Sequence, residues 1–328
     1  MHILFIIDPL PRLKAYKDSS VAMMRGLAAR GHGLSFALQG DLYAENGRVK
    51  VAATPIELDS DADLHGHEWW RETGSRADVS LDMFDAVLMR KDPPFDMEYV
   101  YATHLLEQAQ AQGAQVFNSG QAIRNHPEKL AIIEFAEFAA PTLVTRDMPR
   151  LKAFHAEHGD VIVKPLDGMG GTGIFRLQPG EANLNAILET LTDVGQRSIM
   201  AQRYIPEIVK GDKRILLIGG EPVPYALARI PMAGETRGNL AAGGRGVAQP
   251  LSERDLQLAR AIGPALAARG LLLVGLDVIG DYITEINVTS PTCFVEISEQ
   301  TDYDVAGLFA QALEQAVEQG GAAGGLAT

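Results

Sequence analysis

The stretch Val274–Pro291, VGLDVIGDYITEINVTSP, sets two apolar runs around Gly280-Asp281. Apolar runs flanking such a dipeptide read as a β-hairpin. Its arms carry Asp277, Glu285 and Asn287, residue types that strands disfavour. A carboxylate sunk in an apolar strand is strongly destabilising unless it is paired or bound to a metal. Pairing needs a cation, and no Arg or Lys occurs between Gly270 and the C-terminus. Three oxygen-bearing side chains in one hairpin therefore point to a hard cation such as Mg²⁺, which takes carboxylate and carbonyl oxygens together with substrate phosphates. Glu285 and Asn287 are two apart and share a face. Asp277 joins that face only if an odd number of residues separates the arms, so a three-residue loop Gly280-Asp281-Tyr282 is expected.

At 328 residues the chain is long enough for two or three lobes with their own cores. A net charge of −13 argues against a surface for duplex nucleic acid or anionic membrane, while leaving room for a local basic pocket around a small anion. The single cysteine, Cys293, excludes an internal disulfide and fits a reducing cytosol. With no neighbouring base in the sequence it reads as a small buried hydrophobe. The start MHILFIIDPL lacks a basic n-region and meets Asp8 after Ile3–Ile7, so it reads as a buried strand and not a signal peptide. No apolar run approaches the length of a membrane span. The histidines form no HExxH motif, and a zinc site is not expected. A soluble cytoplasmic protein is expected.

The first 120 residues alternate strand and helix. Ile3–Ile7 is an apolar strand, and Asp18 or Ser19 caps a helix to Arg30 that Gly31 stops. Leu34–Leu38 is the next strand, and Asp41–Leu58 a polar hairpin turning at Asn46-Gly47. A strand at Ala86–Met89, a helix from Met97 to Gln112 and a strand at Gln115–Phe117 complete an open α/β sheet of Rossmann-like topology. No GxGxxG follows the first strand, so a dinucleotide is not expected. Asp59–Ser80, with Trp69 and Trp70, fits no periodicity.

The pattern then changes. Pro127 opens a short helix with Lys129 in its first turn. A cation there opposes the helix dipole, so Lys129 is either a solvated surface lysine or faces a bound anion. VIVKPLDGMGGTGIF puts Lys164 at a strand end, ahead of Gly168, Gly170, Gly171 and Gly173. The lysine precedes the glycines and a strand follows them, which is not a P-loop but a β-hairpin flap able to lie over phosphates. Gly180–Val194 reads as helix and Ser198–Ile205 as an apolar strand leading to Pro206. The strand end MAQRYIP offers Gln202, Tyr204 and Ile205 to an adenine, and Asp212 to ribose hydroxyls; an ordinary strand end fits the same residues. Arg214–Ile218 and Val223–Arg229 form a hairpin through Gly219-Gly220. An even-numbered loop would set Arg214 and Arg229 opposite each other, a repulsive pair unless an anion sits between them; ordinary exposed arginines fit the same residues. From Ile230 to Gly246 there is no strand or helix periodicity. Loops of this length are often lids, and Arg237, Asn239 and Arg245 would reach a bound intermediate on closure. Ser252–Arg269 and Val305–Glu318 are the remaining helices.

Two phosphate-reaching lysines, a glycine flap, paired arginines and a carboxylate–asparagine hairpin together specify ATP·Mg²⁺ held between two β-containing lobes. The set resembles the ATP-grasp superfamily of carboxylate–amine ligases, and within it the prokaryotic glutathione synthetases. The resemblance is carried by KDSS (17–20), RKDPPFD (90–96), KPLDGMGG (164–171), ARIPMAGETRGNLAAGGRG (228–246) and VGLDVIGDYITEINVTSPTC (274–293). It implies an α/β fold with a Rossmann-like substrate domain (1–122), a small lobe with the flap (123–203) and a C-terminal lobe with metal site and lid (204–318); residues 319–328 read as a disordered tail. It implies the ligation of γ-glutamylcysteine and glycine with ATP through an acyl phosphate. Carried onto matching positions, Lys129, Lys164, Gly170, Gly171, Gln202, Tyr204, Ile205 and Asp212 bind ATP. Asp277, Glu285 and Asn287 hold Mg²⁺ or Mn²⁺, and Arg229 with Arg214 stabilises the intermediate. Ser19 and Ser20, at a helix N-terminus suited to a carboxylate, serve the peptide together with Arg90, Asn239 and Arg237. A homotetramer is implied as well. The rivals are another ligase of the superfamily, of D-alanine–D-alanine type, and an ATP-binding module without catalysis.

Overall fold

A computed structural model describes residues 1–232, 238 and 243–324. The first sheet contains β1 (His2–Ile6), β2 (Gly33–Ala37), β3 (Leu42–Glu45), β4 (Arg48–Leu58), β5 (Trp70–Glu72), β6 (Ala77–Ser80), β7 (Ala86–Met89) and β8 (Val116–Phe117). Its order is β3-β4-β2-β1-β7-β8, with β5 and β6 both on β4. Ile3, Leu4, Phe5 and Ile6 are fully buried, as expected of a parallel strand covered on both faces, and β1 pairs in parallel with β2 and β7. Three helices serve this lobe: α1 (Ser19–Ala29), α2 (Met97–Ala111) and α3 (Gly120–Asn125). The β3–β4 turn falls at Asn46-Gly47, both at positive φ, as a type I′ hairpin requires. The stretch from Asp59 to Ser80, which had no readable periodicity, supplies the two short edge strands and buries Trp69 against the core.

The second sheet consists of β9 (Thr142–Thr145), β10 (Val161–Pro165), β11 (Phe175–Leu177) and β12 (Ile199–Arg203), in the order β11-β10-β12-β9. It is backed by α4 (Met148–His158) and α5 (Leu184–Thr192). The latter is shorter than the expected Gly180–Val194 helix, because Asp193, Val194 and Gly195 all take positive φ and end it. The strand β9 and helices α3 and α4 are too short or too polar to stand out in the sequence.

The third sheet is antiparallel, in the order β15-β14-β13-β16-β17, and comprises β13 (Asp212–Ile218), β14 (Glu221–Ile230), β15 (Arg245–Pro250), β16 (Leu273–Ile279) and β17 (Tyr282–Asn287). Helix α6 (Glu253–Ala267), begun by a Ser252–Asp255 capping box, packs on it. The expected lid is therefore shorter than Ile230–Gly246. Ile230 pairs with Arg245 and Arg229 with Gly246, so both ends of that stretch belong to strands. Helices α7 (Phe294–Thr301) and α8 (Val305–Gly324) return to the first lobe. The tail expected to be disordered from 319 is helical through Gly324. Phe294, Ile297, Phe309 and Leu313 join Ile3, Phe5 and Val21 to Leu216 and Leu227 in one buried cluster, which ties the first lobe to the third sheet. Asn118 adds a polar tie there. Its Nδ2 donates to Leu273 O (2.7 Å) and Val288 O (2.9 Å), while its Oδ1 accepts from Leu273 N (2.9 Å).

Candidate active site

A cleft opens between the second and third sheets beneath the β10–β11 connection. Gly170 and Gly171 line it at φ of 64° and 81°, which an L side chain rarely adopts. Lys164, at the end of β10, is buried and, among the described residues, donates from Nζ only to Thr284 O, at 3.2 Å. Burial pushes its pKa below the usual lysine value, with Glu285 nearby working the other way. Lys129 immediately precedes a 3₁₀ turn over Leu130–Phe138. It is buried, not a solvated surface lysine, and its Nζ reaches Gly168 O (2.5 Å) and Glu285 Oε1 (2.9 Å). Gln202, Tyr204 and Ile205 line the far end. Gln202 Nε2 donates to Thr142 Oγ1 (3.0 Å), and the Arg176 guanidinium covers the Tyr204 ring at 3.7 Å from its centre.

The hairpin turn differs from expectation. Ile279 pairs with Tyr282, so Gly280-Asp281 is a two-residue turn and not the three-residue loop. In an unbroken ladder that turn would put Asp277 on the face away from Glu285. The register instead shifts between Val278, which pairs with Ile283, and Asp277, which pairs with Glu285. Thr284 is the extra residue, a β-bulge that restores the shared face. Freed from the ladder, its carbonyl is the acceptor that Lys164 takes.

Nor is Asp277 without a cation. Its partners come from the neighbouring strands: Arg214 on β13 sits directly opposite it, with Nε at 2.5 Å from Oδ1 and Nη2 at 3.2 Å from Oδ2. Arg229 on β14 reaches Oδ2 at 2.9 Å and also bonds Asp212 Oδ2 at 2.5 Å. The two arginines are not opposite each other, since Arg214 pairs with Leu227 and Arg229 with Asp212. They share a face diagonally, and the anion between them is the protein's own carboxylate. Burial disfavours the charge on Asp277, yet Arg214 and Arg229 override it and hold the carboxyl well below its usual range. Asp212 goes the other way: burial pushes its pKa up to about 7 despite Arg229. Its Oδ1 is buried and has no hydrogen-bond partner among the described residues.

The oxygens on this face fit a hard cation. Among the described residues no three His, Cys, Asp or Glu side chains gather as a metal cluster, but two carboxylates and an amide suffice for an ion that keeps waters and phosphates as its other ligands. Asn287 Nδ2 donates to Gly275 O (3.1 Å), which leaves its carbonyl oxygen as the free end. Among the described residues Asp277 accepts three hydrogen bonds, which use three of a carboxylate's roughly four lone-pair positions.

The chain matches two family models in sequence: the prokaryotic glutathione synthetase N-terminal domain over residues 1–124 and the prokaryotic glutathione synthetase ATP-grasp domain over 128–302. The glutathione synthetase of Bordetella parapertussis is 78% identical over 316 residues, covering 96% of this chain and 99% of that protein. The chain belongs to the prokaryotic glutathione synthetase family. The glutathione synthetase of Ralstonia nicotianae is 62% identical, covering 99% of this chain and 98% of its own. Among solved structures, D-cycloserine synthetase DcsG has a TM-score of 0.69 at 15% identity, covering 97% of this chain and all of that one. The ATP-grasp ligase PsnB with Mg and ADP has a TM-score of 0.59 at 18% identity, with 97% and 98% coverage. Such likenesses speak for a shared ATP-grasp fold.

In this glutathione synthetase family member the expected peptide-binding residues are buried in contacts between the lobes. Ser20 Oγ accepts from Arg90 Nε (3.0 Å), and Arg90 Nη2 donates to Pro291 O (3.0 Å). Ser19 Oγ accepts from Phe294 N (3.2 Å). The helix N-terminus is already taken: the Asp18 carboxylate accepts from the amides of Ser20 (2.7 Å) and Val21 (3.1 Å). A substrate carboxylate would have to displace it. Arg237 and Asn239 lie outside the described residues. Cys293 is buried as expected, with its thiol pushed up to about 11 by burial. The sequence reading missed Glu128. Its Oε1 accepts from Val288 N (3.0 Å), Thr289 N (3.2 Å) and Thr289 Oγ1 (2.8 Å), pinning the chain beyond β17. Burial and the nearby Glu285 raise its pKa. Nothing in a His-Pro-Glu-Lys run distinguishes that glutamate from a surface residue.

Proposed function

We propose that the chain joins γ-glutamylcysteine to glycine at the expense of ATP, releasing glutathione, ADP and phosphate. The observation that carries this reading is the meeting of Lys129, Lys164 and Glu285 under the glycine flap in a member of this family. Lys164, buried with one neutral carbonyl as its only partner among the described residues, has charge left to offer a phosphate. Lys129 and the amides around Gly170 and Gly171 cradle the others, while Gln202, Tyr204 and Ile205 face the base and Asp212 the ribose. Asp277, Glu285 and Asn287 would hold Mg²⁺ or Mn²⁺, which when bound neutralises phosphate charge as a Lewis acid.

A carboxylate is a poor electrophile, and transfer of the γ-phosphoryl group to the cysteinyl carboxylate supplies a leaving group. The neutral glycine amine then attacks the acyl carbon, and phosphate departs with the C–O bond's electrons and takes up the proton the nitrogen loses. Arg214 and Arg229, already aligned side by side, stabilise the charge that develops there. The segment joining β14 to β15 is assigned the exclusion of water, and Arg237 and Asn239 within it contact with the peptide; Ser19, Ser20 and Arg90 hold the peptide's far end once Asp18 yields.

The test is ADP release by the purified protein with Mg²⁺. Release should require γ-glutamylcysteine and glycine together. Release driven by D-alanine instead would overturn the reading. We also assign the protein to the cytoplasm, on its lone buried thiol, and infer a homotetramer from the family, to be checked by light scattering. Among the described residues no helix is long and apolar enough to cross a membrane.

A further inference from the structure

A second crevice lies behind Lys129, with a volume of about 160 Å³. Lys129 and Gly168 line both it and the nucleotide cleft, so their hydrogen bond is the partition between the two. The crevice is walled by Phe95 of the first lobe, Ile123, Leu166 of the flap strand's end, and Thr289. Its polar side chains are Glu128, Asp167, His126, Lys129 and Thr289, and both ring nitrogens of His126 are engaged elsewhere, with Ala122 O (2.6 Å) and Arg269 Nη1 (3.0 Å).

Glu128 is polarised in its contacts. All three of its hydrogen bonds from the Val288–Thr289 segment go to Oε1. Among the described residues Oε2 receives none, and the side chain is only partly buried at the crevice wall. The adjacent cation cannot serve it, because Lys129 Nζ is turned to Gly168 O and Glu285 Oε1. A carboxylate oxygen left open in a mostly apolar crevice favours an N–H donor from outside the chain, since charge-assisted hydrogen bonds are strong where water is scarce. The volume suits a molecule of few heavy atoms, on the order of a handful of waters. The phosphate end of the nucleotide cleft is one residue away.

We propose that this crevice holds the amine co-substrate, with Glu128 Oε2 accepting hydrogen bonds from its amino group. The proposal rests on the ligase reading above and names the second-substrate site that reading leaves unassigned. Apolar walls fit the role, because a nucleophilic nitrogen reacts best when its water shell is stripped.

The test is Glu128→Gln in the full-length protein. Gln retains an acceptor for the Val288 and Thr289 amides but turns an NH₂ group into the crevice. The KM for glycine should rise at least about tenfold through loss of a charge-assisted hydrogen bond, with the KM values for ATP and γ-glutamylcysteine within about twofold of wild type. Phe95→Trp, which narrows the crevice from the other lobe, should raise the glycine KM without touching the Glu128 contacts. Acyl-phosphate formation is followed separately, as peptide-dependent ¹⁸O bridge-to-nonbridge exchange in ATP without glycine, and should persist in both variants. An unchanged glycine KM in both variants with exchange intact overturns the proposal, as does a rise in the peptide KM alone. Absence of peptide-dependent exchange in the wild type would instead sink the ligase reading itself.

Discussion

Asp277 and Glu285 face each other across β16 and β17 only because Thr284 has no partner of its own. One extra residue does two things: it returns Glu285 and Asn287 to the face of Asp277, and it frees the carbonyl that holds Lys164. The shared face of Asp277, Glu285 and Asn287 and the anchoring of Lys164 are thus set by the same bulge.

Asp277 is also the shared counter-ion of Arg214 and Arg229, so its replacement should be felt without any ligand. Asp277→Asn would leave two buried guanidinium groups with Asp212 as their remaining anion. Breaking a buried pair by removing one partner costs about 3–5 kcal/mol. Urea denaturation of the ligand-free protein should show a loss of that order, and a loss below about 1 kcal/mol would mean that the arginines find other partners.

Lys164 should behave in the opposite sense. Buried beside a neutral carbonyl and with its pKa lowered by desolvation, it contributes little to the ligand-free fold, and Lys164→Met should leave the thermal midpoint unchanged or raise it. Affinity for ADP with Mg²⁺ should fall roughly 10- to 100-fold, the loss expected for one hydrogen bond to a charged group. Calorimetric titration measures the second effect and a thermal melt the first.

The first lobe is tied to α8 at the surface, where Glu314 takes Arg30 Nη2 (2.6 Å) and His32 Nε2 (2.7 Å). These bonds hold its carboxyl down at about 2 against an ordinary 4.5. A depressed carboxylate stabilises above its unfolded value and loses that contribution as pH falls toward its folded one. The difference in stability between wild type and Glu314→Gln should therefore be constant near neutral pH and shrink from about pH 4.5 toward pH 2. Because the group is solvent-screened, the plateau should be no more than about 1 kcal/mol. A difference that grows on acidification would contradict the geometry.

Asn118 joins the first sheet to the third through three backbone hydrogen bonds. Asn118→Leu would strand two carbonyls and one amide in a buried seam, and the expected loss is on the order of 2–4 kcal/mol. Chemical denaturation reads it, and the transition should stay single because the buried cluster around Phe294 and Phe309 still couples the lobes.

Most of the scaffold was legible locally. The strand expected at Ile3–Ile7 and found at His2–Ile6, the helix capped by Asp18, the hairpin at Asn46-Gly47 and the flap around Gly170 and Gly171 each declare themselves by periodicity, a capping side chain or a residue free to take positive φ. The weakly patterned pieces escaped for the complementary reason. Asp59–Ser80 becomes strand only by completing the edge of β4, and Ile230 and Arg245 only by pairing with each other.

The sequence by itself singled out Lys164 ahead of its glycines and Asp277, Glu285 and Asn287 inside apolar strands, because residues so placed are unusual enough to demand a ligand or a partner. Only the tertiary structure decided how they meet. The absence of a cation after Gly270 suggested that Asp277 had no ion-pair partner, yet Arg214 and Arg229 reach it from strands more than forty residues earlier. The turn length suggested one register, and the Thr284 bulge supplied the face by another route. Ion pairing and ladder register are settled between strands, by burial and lateral hydrogen bonding, and neither quantity is written in the spacing of residues along one of them.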